Sequence, residues 1–130
     1  MTNSAEDCPF CDIVKAYPHQ YQHTTPAPKT DTDELAHIVF STPQVIAFLD
    51  RLPLTKCHTL LIPRQHHELI SSTPTHIAAE LGRALPVVCR AALEISDADA
   101  FNVVQNNGNG IPFPFQPRLP CDTFCTGTKD

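Results

Sequence analysis

Prolines stand at positions 112, 114, 117 and 120 of this 130-residue chain, within Ile111-Pro-Phe-Pro-Phe-Gln-Pro-Arg-Leu-Pro120. Each lacks the N–H that a β-ladder needs, so no central strand can pass through that stretch. The constraint is severe because a strand-like segment, Phe101-Asn102-Val103-Val104-Gln105, ends just before it at Asn106-Asn107-Gly108. A sheet begun upstream is expected to lose its next strand there. The last ten residues, Cys121 to Asp130, follow neither a helical nor a strand period. The organisation read from this is a disordered N-terminus over 1–7, a truncated domain over 8–110, and an aberrant tail over 111–130.

The body is long enough for one domain, and 42% hydrophobic against 18% charged residues provides a core. No apolar run approaches the roughly 20 residues of a membrane helix. A net charge of −5 argues against a surface that coats a nucleic acid polymer. A small nucleotide is compatible, since one basic side chain and backbone amides can hold a phosphate. Met1 to Asp7 has neither the basic nor the apolar part of a secretory signal. The expectation is therefore a cytoplasmic or nuclear protein whose six cysteines are thiols or metal ligands rather than disulfides.

Periodicity places the elements. Cys8 to Lys15 reads as a short helix or turn with an apolar side, and 18–33 as a polar, proline-rich loop. Ile38-Val39-Phe40 and Val45 to Leu49 are strands separated by a Ser41-Thr42-Pro43-Gln44 turn. A third strand follows at His58 to Pro63, and short connections predict antiparallel neighbours. Ile77, Leu81, Ala84, Leu85, Val88, Ala92 and Ile95 recur at helical spacing. That predicts a long amphipathic helix, capped by Thr73, opened by Pro74 and kinked at Pro86.

Four groups of residues could carry chemistry. Cys8 and Cys11 can grip one zinc ion, with a histidine such as His58, His66 or His67 adding a ligand. Two idle thiols are the alternative. Asp50 closes an apolar strand beside Phe48, and it either accepts from sugar hydroxyls or caps the next turn. His58 and His66 flank one strand and could border one pocket, or be ordinary solvated side chains. Gln105-Asn106-Asn107-Gly108 offers amides to a polar ligand and is also a hairpin turn signal.

Taken together, Cys8-Pro-Phe-Cys11, Ala47-Phe-Leu-Asp50, His58-Thr-Leu-Leu-Ile-Pro-Arg-Gln-His66 and Phe101 to Gly108 resemble the histidine-triad (HIT) superfamily. The resemblance covers about 8–108. It implies an α+β fold with an antiparallel sheet and one long helix, commonly paired as a homodimer. It also implies hydrolysis or transfer of nucleotide phosphoesters and phosphoramidates. Phe10, Ile13, Phe48 and Asp50 would border a purine nucleoside, His58 would lie near the active-site histidines, and Asn106 near the phosphate. Cys8, Cys11 and His66 would match three of four zinc ligands, the fourth coming from the triad strand.

One departure separates the chain from that pattern. The family continues into a His-x-His-x-His strand whose middle histidine attacks phosphorus. This chain has no histidine after His76. Cys57 also stands where the family prefers glycine. The expectation is a HIT-like fold whose final core strand is missing, with no catalytic residue. The simplest account is a tail from another reading frame, a retained intron or a divergent exon. A nucleotide-binding module without catalysis and a zinc scaffold using Cys121 and Cys125 are the alternatives.

Overall fold

Val45-Ile-Ala-Phe-Leu49 and Leu60-Leu-Ile62 are apolar at every position, so they suit strands covered on both faces. A computed structural model places them so, and describes residues 8–19, 36–49, 57–96 and 98–107 with the strand backbone at 122–128. In chain order the elements are α1 (Pro9–Ala16), β1 (His37–Ser41), β2 (Val45–Leu49) and β3 (Thr59–Pro63). A 3-10 turn at Ile70–Ser72, α2 (Thr75–Ser96), β4 (Ala100–Asn106) and β5 (Asp122–Thr128) follow. The sheet has five strands in the order β1-β2-β3-β5-β4, every pair antiparallel. The chain has the α+β fold, with an antiparallel sheet and one long helix. Among the described residues, no helix is long and apolar enough to cross a membrane.

Alternation along β2 and β3 divides the core into two halves. Ile46, Phe48, Leu60 and Ile62 pack with Ile38, Ile13 and Tyr17 on the α1 side. Val45, Ala47 and Leu61 pack with Leu81, Ala84 and Val88 of α2 on the other. Ile46, Leu61, Ile62 and Val45 are the largest fully buried side chains. Each contributes about 1.5–3 kcal/mol of hydrophobic stabilisation.

The β1–β2 turn forms where proline and threonine favour it. Thr42 Oγ1 accepts from the N–H of Gln44 at 3.3 Å and of Val45 at 3.0 Å. The register shifts between Ile38 and Phe40, and Val39 at the irregularity is exposed. Cys57, just before β3, has φ 63°, the left-handed region where glycine fits without strain. That explains why a glycine would be the natural residue at this turn.

Two expectations need correction. First, the final strand is not missing. β5 pairs with β3 and with β4, filling the position between them. The prolines are confined to 112–120, so Asp122 to Thr128 keeps every ladder N–H and holds threonine and phenylalanine, which suit strands. Its place in the sheet is set by ladder partners on both edges, which the strand's own period does not report. Second, Cys89 is disulfide-bonded, while Cys8, Cys11 and Cys57 are free thiols. At the start of α2 the Thr73 hydroxyl donates to the Leu69 carbonyl at 2.8 Å, and the Pro74 carbonyl receives the N–H groups of Ile77 and Ala78. The 1–7 segment and nearly all of the 18–33 loop lie outside the described residues, as do 111–121.

Candidate functional site

Pro9 at the first helical position starts α1, and Cys8 before it contributes the carbonyl that receives Asp12 N–H at 3.2 Å. Three-residue spacing brings Cys8 and Cys11 to one side of this turn. His66 reaches them from the segment after β3. The ligand atoms of Cys8, Cys11 and His66 all lie within 4.8 Å of one another, and Cys11 Sγ is 3.3 Å from His66 Nδ1. His66 Nε2 is buried with no hydrogen-bond partner. Two sulfurs and an imidazole nitrogen at this spacing are a donor set suited to zinc.

Burial pushes the Cys11 thiol up to about 11, and the neighbouring Cys8 adds to the effect. The thiol is therefore neutral in the metal-free protein at physiological pH. A dication reverses that preference by favouring the thiolate. Burial lowers the basicity of His67 as well, with His66 as the second cause.

Arg64 assembles this corner. Its Nε donates to the Thr42 carbonyl at 2.6 Å, and one terminal nitrogen donates to the Tyr17 carbonyl at 2.9 Å. The other donates to Ser41 Oγ at 2.5 Å, while the Arg64 backbone N–H donates to Gln44 at 2.9 Å. One guanidinium thus ties the end of α1 and the β1–β2 turn to the exit of β3. The cysteines ride on the first of these and His66 on the last. Sequence reading did not single out Arg64; its one signal is a lone cation directly after the apolar run Leu60 to Pro63.

The residues read as nucleoside-facing are partly brought together. Phe10 and Phe48 meet edge to face, ring centroids 5.5 Å apart at 69°. Ile13 belongs to the same cluster, and His58 is buried at the start of β3. Asp50 lies outside the described residues. Asn106 pairs with Asp122 at the far end of β4, separated from β3 by β5. Strand geometry puts His58 and Asn106 on the order of 16 Å apart, at opposite ends of the sheet. Asn107 is committed to structure, its Oδ1 accepting from Ile70 N–H at 2.8 Å.

No imidazole stands on β5. Asp122, Phe124 and Thr126 take alternate positions along it, with Phe124 level with Leu60 on β3 and Val104 on β4. Thr123 and Cys125 alternate with them, and neither set contains histidine.

Comparison with known proteins adds to this geometry. The HIT domain model matches residues 31–111. An adenylylsulfatase from Arabidopsis thaliana, HINT3, is 28% identical over 102 residues, covering 78% of this chain and 44% of its own length. The adenosine 5′-monophosphoramidase HNT1 of Saccharomyces cerevisiae is 28% identical over 101 residues, covering 78% and 51%. The chain thus spans about half the length of these relatives. The crystal structure of SMU.412c from Streptococcus mutans superposes with a TM-score of 0.72 at 28% identity, covering 98% of this chain and 69% of that one.

Proposed function

This chain belongs to the HIT family, and from that membership we propose that it binds a purine nucleotide without cleaving it. The relatives named for adenylylsulfate and adenosine phosphoramidate chemistry point to an adenosine monophosphate as the ligand class. Phe10, Ile13, Phe48 and Asp50 are assigned to the nucleoside end, His58 to the position beside the family's active-site histidines, and Asn106 to the phosphate end. The observation that carries the loss of chemistry is β5. It takes the sheet position beside β3 and offers no histidine to attack phosphorus. Isothermal calorimetry with AMP tests the reading: saturable heat is expected, and no heat at millimolar nucleotide overturns it. A truncated product of an active hydrolase predicts the same loss of chemistry, and sequencing the transcript across the codon for Gly110 tells whether this tail is the encoded one.

Cys8, Cys11 and His66 are further proposed to hold zinc, which would fasten α1 to the segment after β3. The buried, unpartnered His66 Nε2 and the close thiols support the fit. A zinc scaffold completed by Cys121 and Cys125 falls outside the described side chains. Because Cys11 sits near 11 without metal, zinc binding at neutral pH must expel a proton. Affinity should then fall by about tenfold per pH unit on acidification for each proton released. Competition with a chromophoric chelator at two pH values reads this, and a pH-independent affinity contradicts it.

A homodimer through β4 belongs to the same proposal. The strand lies at the sheet edge, with Phe101, Val103 and Val104 exposed and no charged residue from Ala100 to Asn106. Such an edge is open to pairing with a second copy. Sedimentation velocity should give a dimer at tens of micromolar chain, and Val103→Lys should give the monomer. A monomeric parent protein removes the proposal.

A further inference from the structure

Cys89 is disulfide-bonded, whereas Cys8, Cys11 and Cys57 are free thiols. The sequence holds six cysteines, so the partner of Cys89 comes from Cys121 and Cys125, both beyond the proline-rich run. The bond therefore joins α2 to the C-terminal stretch, and the sheet register tells the two candidates apart. Leu61 packs against α2 and pairs with Thr123 of β5. Residues paired across a ladder share a face, as do residues two apart along a strand. Position 125 thus lies on the α2 face of the sheet. It is level with Thr59, and Thr59 lines one cavity with Val88, Ala91 and Ala92 of α2. The helical turn that carries Cys89 lies over that same level, and α2 packs against β5. Bonded cysteines need Cα atoms within roughly 7 Å, which favours Cys125 over Cys121, four residues earlier.

We infer that a disulfide between Cys89 and Cys125 fastens the last strand to the long helix and acts as a redox lock on β5. Two protein thiols and one small-molecule disulfide give the protein disulfide and two small thiols. Two electrons and two protons pass from the protein to the oxidant, and a dithiol reductant reverses the exchange. β5 is the strand such a bond serves best, because it fills the slot between β3 and β4 and reaches it past four prolines. The bond closes a loop of 36 positions and so restricts the unfolded chain. Once it opens, β5 is held by its ladders and packing alone, and its release leaves the facing edges of β3 and β4 unpaired. This inference needs neither the zinc nor the nucleotide reading.

Peptide mapping of the full chain, equilibrated with glutathione disulfide and digested with its free thiols blocked, tests the pairing. One linked species should join the Cys89 peptide to the C-terminal peptide. It should persist in Cys121→Ser and vanish in Cys125→Ser. The reverse pattern, a link to another cysteine or no link overturns the assignment. Hydrogen exchange tests the lock. Reduction of the parent protein should speed exchange over 59–61 and 122–128 about tenfold, and lower the midpoint of thermal unfolding by about 10 °C. Cys89→Ala should exchange like the reduced parent and not respond to reductant, whereas Cys57→Ser should respond as the parent does. A reduced parent with unchanged exchange and midpoint overturns the lock even where the bond is found.

Discussion

Adenosine 5′-phosphoramidate incubated with the purified chain is expected to release AMP no faster than a protein lacking the family's nucleophile. The chemistry implied by the HIT resemblance passes through a covalent bond between imidazole nitrogen and phosphorus. That step needs a histidine on the strand beside the bound phosphate. The seven histidines of this chain end at His76, and β5 carries none. Phe124, Thr123 and Cys125 stand level with Leu60, Leu61 and Thr59 of β3 instead. Loss of a nucleophile in a hydrolase has measured consequences on the order of 10⁶ in kcat, with a residue of about 10³–10⁴ from binding and electrostatics. Phosphorus NMR over a day gives the necessary sensitivity. Turnover of a few per second would overturn the inactive reading. A matched measurement on His58→Ala would then show whether the buried histidine of β3 is responsible.

Replacing Arg64 by alanine is expected to be the most damaging single substitution at the site corner. It removes three side-chain hydrogen bonds at once, to Thr42, Tyr17 and Ser41. Bonds from a charged donor contribute about 1.5–3 kcal/mol each, and shared geometry makes their sum less than additive. A loss of about 4 kcal/mol follows, a large part of the 5–15 kcal/mol that holds an ordinary domain together. The midpoint of thermal unfolding should fall by roughly 15 °C. Arg64→Lys should recover less than half, because one ammonium cannot serve three acceptors that a planar fork reaches in different directions. Burial also disfavours the charged guanidinium, so it is the hydrogen bonds that hold it in place. A urea midpoint for Arg64→Ala that matches the parent would sink this account.

Most of the fold was legible because its signals were local. Apolar runs at 45–49 and 60–62, the helical spacing from Ile77 to Ile95 and the Phe101–Gln105 strand all appear in the structure where the residues indicated. β5 was not legible, since its place in the sheet depends on partners more than 15 residues away rather than on its own pattern. The prolines before it argue against a central strand only over their own span, 112–120, which lies outside the described residues. At the site, Cys8, Cys11 and His66 were readable from thiol spacing and a resemblance, and the structure brings their ligand atoms together. The Arg64 clamp was hidden because two of its side-chain acceptors are backbone carbonyls, which a sequence does not distinguish. The resemblance put His58 near the active-site histidines and Asn106 near the phosphate, and β5 lies between the strands that carry them.

The slot that β5 fills has a temporal side. Thr59 and Cys125 are neighbours in the sheet but 66 positions apart in the chain, and β5 is made after every other strand. On the ribosome, β3 and β4 must wait with facing edges unpaired until residue 128 has emerged. Pairings of such long separation are slow to form, and unpaired edges are where chains stick to one another. Yield of this protein should therefore depend on how quickly Asp122 to Thr128 are synthesised and captured.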